Sequence, residues 1–127
     1  HAPLHTPMAD PFDDALRKLL VTACQDLLIP HHERGTVVTI EGPRFSTRAE
    51  SNMFRGFGAD VINMSTAPEC ILANEAGVPY AAVAMSTDYD CWKQDEKPVT
   101  WDEILKIFTD NAQKVTGLLI ESVRNLG

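Results

Sequence analysis

The sequence predicts an α/β fold with a parallel or mixed central sheet flanked by helices. Residues 36–86 alternate short runs of β-branched and apolar residues with stretches of helical periodicity. Glycines and prolines separate these runs, and a long amphipathic pattern closes the chain. Strands that alternate with helices in this way form a parallel sheet with right-handed crossovers.

The N-terminal part predicts one helix after an extended lead-in. Residues 1–11 contain three prolines, which exclude a helix or a central strand. Apolar residues then recur at helical spacing from Phe12 to about Leu28, with Pro11 ahead of them and Pro30 behind.

The central part begins with a strand and a helix. Residues 36–40 form a β-branched run that ends at a turn. Thr47 and Glu50 have the spacing of a capping box, in which each side chain bonds the other residue's backbone N–H. We therefore expect a helix from Thr47 to about Phe57, ended by Gly58.

Two more strands and a third helix follow. Residues 60–64 predict the second strand. A helix should start near Ser65 and run to about Ala76, with Gly77 at its end. Residues 78–85 are apolar on both faces and predict a third strand.

The last element is a long helix. Thr100 and Glu103 form a second capping box at its start. One apolar stripe runs along it, made of Trp101, Ile104, Leu105, Phe108, Ala112, Val115, Leu119 and Val123.

Composition narrows the class of protein. The 127 residues suit one domain, and 44% hydrophobic with 23% charged residues excludes a disordered tail. The net charge of −7 argues against nucleic acid as a partner. The longest uncharged apolar stretch, residues 78–87, has about half the length of a transmembrane helix.

Three cysteines without a metal-binding spacing favour a reducing, cytoplasmic location and no metal site. The chain begins at His1 without a leader, so we expect a piece of a longer protein.

Three loops are predicted to meet at the carboxyl edge of the sheet, where ligands bind in open α/β folds. They comprise residues 41–46, 63–65 and 87–90. In the third loop, Asp88 and Asp90 point to the same side if the backbone is extended. In a partly desolvated pocket one carboxyl of such a pair can donate a proton to a leaving group. The alternative is a solvated acidic turn.

The other two loops also offer ligand contacts. The Ser65 hydroxyl and the amides that start the third helix could bind a phosphate, or Ser65 or Thr66 could simply cap that helix. Phe45 could stack on a planar ring or belong to the core. No Walker loop, G-x-S-x-G elbow or G-x-G-x-x-G motif follows a strand, which disfavours the enzyme classes that use them.

Taken together, five segments closely resemble the 5′-methylthioadenosine phosphorylases of the trimeric purine nucleoside phosphorylase family. They are residues 38–46, 48–50, 58–64, 76–77 and 87–92. The resemblance runs from about His5 to the last helix and matches only the C-terminal half of the family's polypeptide. It implies that residues 1–127 are the C-terminal half of a single nucleoside phosphorylase domain, an incomplete domain whose N-terminal half would be a partner.

The resemblance implies phosphorolysis of 5′-methylthioadenosine to adenine and 5-methylthioribose 1-phosphate, a salvage reaction. Inorganic phosphate would be the co-substrate, with no metal or organic cofactor, in a homotrimer. The family's phosphate site also uses residues of the missing half, so we expect this chain to be inactive alone. The alternatives are a preference for adenosine or inosine, and a non-catalytic half-domain that acts as an assembly partner.

The resemblance also assigns roles to the base contacts. Asp88 and Asp90 would contact the purine's five-membered-ring nitrogen and exocyclic amine, with Asp88 stabilising the leaving base. Oxo-purine relatives carry Asn in place of Asp88 and Glu in place of Ser46, so this pair implies an amino-purine.

Further roles follow from the same resemblance. Phe45 would pack on the base or ribose, Asn63 would line the base pocket, and Met64 would contact the ribose. Ser65 would bind phosphate, and His5 would reach the neighbouring subunit's site.

Three residues of the last helix, Trp101, Ile104 and Leu105, match the face that lines the methylthio slot. A thioether gains from burial there. Trp101 is larger than the aliphatic residue expected at its position, and all three residues equally fit a plain core stripe.

Overall fold

A computed structural model describes residues 5–95 and 100–126, apart from the side chain of Asp110. Every helix and strand that it contains begins and ends within two residues of the predicted limits. In chain order they are α1 (Asp14–Asp26), β1 (Val37–Thr39), α2 (Arg48–Gly56), β2 (Val61–Asn63), α3 (Thr66–Glu75) and α4 (Trp101–Arg124).

The sheet of the described residues consists of β1 and β2. The strands pair in parallel, with Val37 opposite Val61 and Thr39 opposite Asn63. Because the crossover between them is α2, both strands end at the same edge of the sheet. The α/β prediction with a parallel sheet is confirmed.

The prediction of a third strand at residues 78–85 is wrong for this structure. No ladder forms there, although the Tyr80 carbonyl accepts a hydrogen bond of 2.7 Å from the backbone N–H of Asp13. A strand needs a neighbouring strand that bonds its backbone at alternate residues, and neither β1 nor β2 does so here. An apolar run shows that a segment suits burial but does not supply its partner.

The core is small and lies between α1 and α4, while α3 packs on β1. Ala23, Cys24 and Leu118 form its buried cluster, with Leu20 and Ile29 packed against it. A cavity of about 760 Å³ separates these helices from the sheet and from residues 81–86.

The chain leaves much of its surface uncovered. Its accessible area is 9619 Å². A folded monomer of this size exposes about 6,700 Å², so the excess is roughly 2,900 Å². Much of it is apolar: on α4 alone the exposed large side chains are Trp101, Leu105, Phe108, Leu119, Ile120 and Val123. The structure is therefore that of a partial domain. None of its described helices combines the length and apolarity needed to cross a membrane.

Candidate active site

A polar network ties the ends of β1 and β2 to the start of α3. The Thr39 hydroxyl donates to Asn63 Oδ1 at 2.9 Å and accepts from the Ala67 amide at 3.1 Å. Asn63 Oδ1 also accepts from the Thr66 amide at 3.3 Å, and Asn63 Nδ2 donates to the Thr66 hydroxyl. Side chains of the two strands thus cap the helix.

This network corrects the prediction that the first amides of α3 form an anion site. The Thr66 and Ala67 amides already have acceptors, and Pro68 has no N–H to offer. The capping alternative for Ser65 is also wrong, because its side chain makes no cap hydrogen bond although it precedes the helix. The exposed Ser65 hydroxyl is what this segment offers to a phosphate.

The first loop contacts the second. A Cβ built on Gly42 would lie 2.7 Å from Met64 Sδ, so backbone and side chain approach closely. Phe45 is 71% exposed, so its ring is not part of the core that the described residues form. Phe45 and Met64 therefore both present apolar surface at this end of the sheet.

The first loop also contacts Cys91, the residue that follows the third loop. The Ser46 carbonyl accepts a hydrogen bond of 3.4 Å from Cys91 Sγ. Together with the contact of Gly42 on Met64, this confirms that loops far apart in sequence meet beyond the strands.

An ion pair that the sequence analysis did not anticipate fixes the first loop on α2. Arg44 donates to both carboxylate oxygens of Glu50, at 2.7 and 2.9 Å. Glu50 also completes the predicted capping box with Thr47. The Arg44 hydrogen bonds, followed by those from Thr47, lower the pKa of Glu50 to about 2.

The two carboxylates of the third loop differ in exposure. Asp88 is exposed and accepts a 2.6 Å hydrogen bond from the Thr87 hydroxyl. Asp90 is half-buried, and its carboxylate accepts from the Cys91 amide at 2.8 Å. The described residues leave Asp88 in water, so a substrate or another part of the domain must supply the desolvation that a proton donor needs.

The remaining predicted site residues lie farther along the chain. Trp101 is 64% exposed, Leu105 is also exposed and Ile104 is half-buried, so the first two lie outside the core that the described residues form. His5 is exposed in the lead-in. Among the described residues, no three His, Cys, Asp or Glu side chains are grouped closely enough to hold a metal ion.

Comparison with known proteins identifies the class. The sequence model of the family described as the phosphorylase superfamily matches residues 1–124. The chain therefore belongs to the phosphorylase superfamily, and its nucleoside phosphorylase fold follows from the structural similarities below.

Within that superfamily the similarity is to S-methyl-5′-thioadenosine phosphorylases. The Danio rerio protein of that name is 55% identical over 119 residues, and the Xenopus tropicalis protein is 53% identical over the same length. In both, the match covers 94% of this chain and 42% of the relative, so the chain spans about two-fifths of their length.

Solved structures from Schistosoma mansoni agree. Its methylthioadenosine phosphorylase with adenine has a TM-score of 0.90 and 39% identity, covering 98% of this chain and 49% of that one. A variant of its adenosine/methylthioadenosine phosphorylase with methylthioadenosine has a TM-score of 0.90 and 38% identity, covering 100% and 49%.

Proposed function

We propose that this chain is the C-terminal half of a phosphorylase domain that cleaves 5′-methylthioadenosine with inorganic phosphate. The products are adenine and 5-methylthioribose 1-phosphate, and the reaction belongs to purine and methionine salvage. The observation that carries the proposal is the 55% identity, over 94% of this chain, to a relative named for that substrate.

In this reaction a phosphate oxygen attacks the anomeric carbon as the bond to the base breaks. The electron pair of that bond enters the purine ring, and a proton on its five-membered ring neutralises the leaving base. Asp88 is the proposed donor, while Asp90 accepts from the exocyclic amine. The exposed position of Asp88 leaves it accessible to a base that stacks near Phe45.

The phosphate contact in this chain is the Ser65 hydroxyl. One hydroxyl holds a dianion weakly in a chain of net charge −7. The cations and amides that complete the site would come from the part of the domain that this chain does not include. Consequently we expect no turnover from the 127 residues alone.

Asp88 and Ser46 favour an amino-purine, because an acid can donate to the ring nitrogen while a second carboxylate accepts from the amine. The second candidate substrate is adenosine. It is favoured by the Schistosoma mansoni relative that is described as an adenosine/methylthioadenosine phosphorylase. Inosine, whose base accepts where adenine donates, should be the poorest of the three.

The methylthio group is proposed to lie against Trp101, Ile104 and Leu105. The exposed apolar surface of Trp101 and Leu105, near the start of α4, supports this assignment. His5 would reach the site of a neighbouring subunit in a homotrimer.

All three cysteines are free, which supports a reducing compartment such as the cytoplasm.

Reconstitution tests the function. The chain is co-expressed with the segment of the Danio rerio relative that it does not match, and adenine release is measured with and without phosphate. Phosphate-dependent release from methylthioadenosine, faster than from adenosine and inosine, is the expected result. A stable complex that releases no adenine would instead support a non-catalytic assembly partner.

A further inference from the structure

A cluster of cations and aromatic rings lies beside the Asp88–Asp90 turn. The Arg55 guanidinium carbon sits 3.6 Å from the centre of the Trp92 ring. Tyr89 meets Trp92 edge to face, with ring centres 5.9 Å apart and planes at 85°. Lys93 Nζ lies 3.6 Å from the centre of the Tyr89 ring. Each contact has the geometry of an attractive interaction.

The cluster joins two parts of the chain that are far apart in sequence. Arg55 lies in the last turn of α2, whereas Tyr89 belongs to the third loop and Trp92 lies two residues after that loop. Tyr89 stands between Asp88 and Asp90, so a ring held in place restricts the backbone on both sides. Two backbone amides that bond Asp90 also belong to this turn.

Helix α2 is a firm support for this contact. Its N-terminus is closed by a capping box and by the bidentate ion pair of Arg44 with Glu50. The bond from Cys91 Sγ to the Ser46 carbonyl adds a second link between the same two regions. The loop is thereby held at two points, one at each end of α2.

We propose that Arg55 is a positioning residue for the base-binding turn. By holding Trp92, and through it Tyr89, it fixes the direction of the Asp88 and Asp90 carboxylates toward the purine. This inference rests on the proposed function, since the turn has a purine to meet only if the site binds one. It makes α2, acting through this turn, a determinant of kcat/KM.

The first test needs no activity and uses the chain itself. In a Trp101→Phe background, Trp92 is the one remaining tryptophan. Acrylamide quenching of its fluorescence should rise in Arg55→Gln, and Arg55→Lys should restore most of the protection. Arg48→Gln, which removes the same charge from the first turn of α2, is the matched control and should leave quenching unchanged.

The second test uses the reconstituted complex with native Trp101. Arg55→Gln should lower kcat/KM for methylthioadenosine about two- to fivefold, the range of an exposed cation–π contact. Trp92→Leu should cause a similar loss, and the double variant no more than either single one. A merely structural Arg55 would lower the melting temperature and leave kcat/KM unchanged.

The outcomes separate the two proposals. Unaltered quenching in Arg55→Gln, or additive losses in the double variant, overturns the positioning role even if the complex is active. If the unsubstituted complex releases no adenine, the proposed function fails, and quenching still decides whether Arg55 holds Trp92.

Discussion

Two regions of this chain differ in how many of their polar groups and apolar side chains find partners among the described residues. Residues 36–77 form both strands and two helices, and the N-termini of these helices are closed by hydrogen bonds within the same region, from the capping box of α2 to the Asn63 network. Residues 78–126 contain an apolar segment without a ladder and a long helix with an exposed apolar face.

The difference shows which interactions a partial domain retains. Capping boxes join residues three apart, so any stretch that contains them keeps them. A central strand, or a helix that packs on two neighbours, depends on residues distant in sequence. Those contacts are lost when the partner segment belongs to another part of the polypeptide. The four predictions below test this contrast, and they run from the largest expected effect to the smallest.

The largest effect should come from α4 in the less complete region. Leu118 is 2% exposed and its neighbour Leu119 is 49% exposed. Leu118→Ala should lower the free energy of unfolding by about 2–5 kcal/mol, because it empties part of the only buried cluster of described apolar residues between α1 and α4. Urea denaturation measures the change.

Leu119→Ala is the control for that measurement. In the isolated chain it should change the free energy of unfolding by less than about 0.5 kcal/mol. In the reconstituted complex its effect should grow if the partner covers this face. Equal effects of both substitutions in the isolated chain would contradict the contrast.

Adenine release should depend on Asp88, which lies in the less complete region, although that region needs a partner segment to complete its packing. In the reconstituted complex, Asp88→Asn should lower kcat for methylthioadenosine about 100-fold, since an amide cannot supply the proton. Adenine release assays measure it. Asp95→Asn, a nearby exposed carboxylate, should retain full activity, and a loss of less than threefold in Asp88→Asn would exclude the donor role.

In the self-sufficient region, the Thr39 hydroxyl is the central atom of the polar network. Thr39→Val should lower the free energy of unfolding by about 1–3 kcal/mol, because the Ala67 amide loses its acceptor. Chemical denaturation measures the change, and Thr36→Val, at an exposed position before the same strand, is the control. Equal stability of both variants would show that the network contributes nothing.

The smallest effect is the pH dependence of the link between Arg44 and Glu50. The pKa of Glu50 falls from 4.5 to about 2 on folding, chiefly through hydrogen bonds from Arg44. A depressed pKa contributes stability above pH 4.5 that is lost as the pH falls toward 2. Carbon-13 NMR of the carboxyl should therefore report a higher pKa in Arg44→Gln, and Glu50→Gln should remove this part of the acid sensitivity.

The sequence predicted what local signals encode. Both capping boxes, and the helix ends at Gly58 and Gly77, occur where expected, and both glycines have the positive φ that ends a helix readily. The meeting of the first two loops also followed, because a parallel crossover places the ends of β1 and β2 together.

Non-local features were missed for a physical reason. The prediction of a third strand was wrong because an apolar run indicates burial but does not supply a pairing strand. Thr39 and Asn63 as caps of α3 depend on a contact across two strands, and Arg55 on Trp92 spans 37 positions of the sequence. One signal was available: Pro68, which lacks an N–H, leaves only two free amides at the start of α3, and these require acceptors.

The large accessible area also determines how cooperatively this chain unfolds. Both the dependence of stability on denaturant and the heat capacity of unfolding scale with the surface that unfolding newly exposes. A chain that buries so little apolar surface should unfold over a wide temperature range, and its stability should depend only weakly on urea concentration. When the remaining part of the domain binds, the same residues should unfold in one sharp transition.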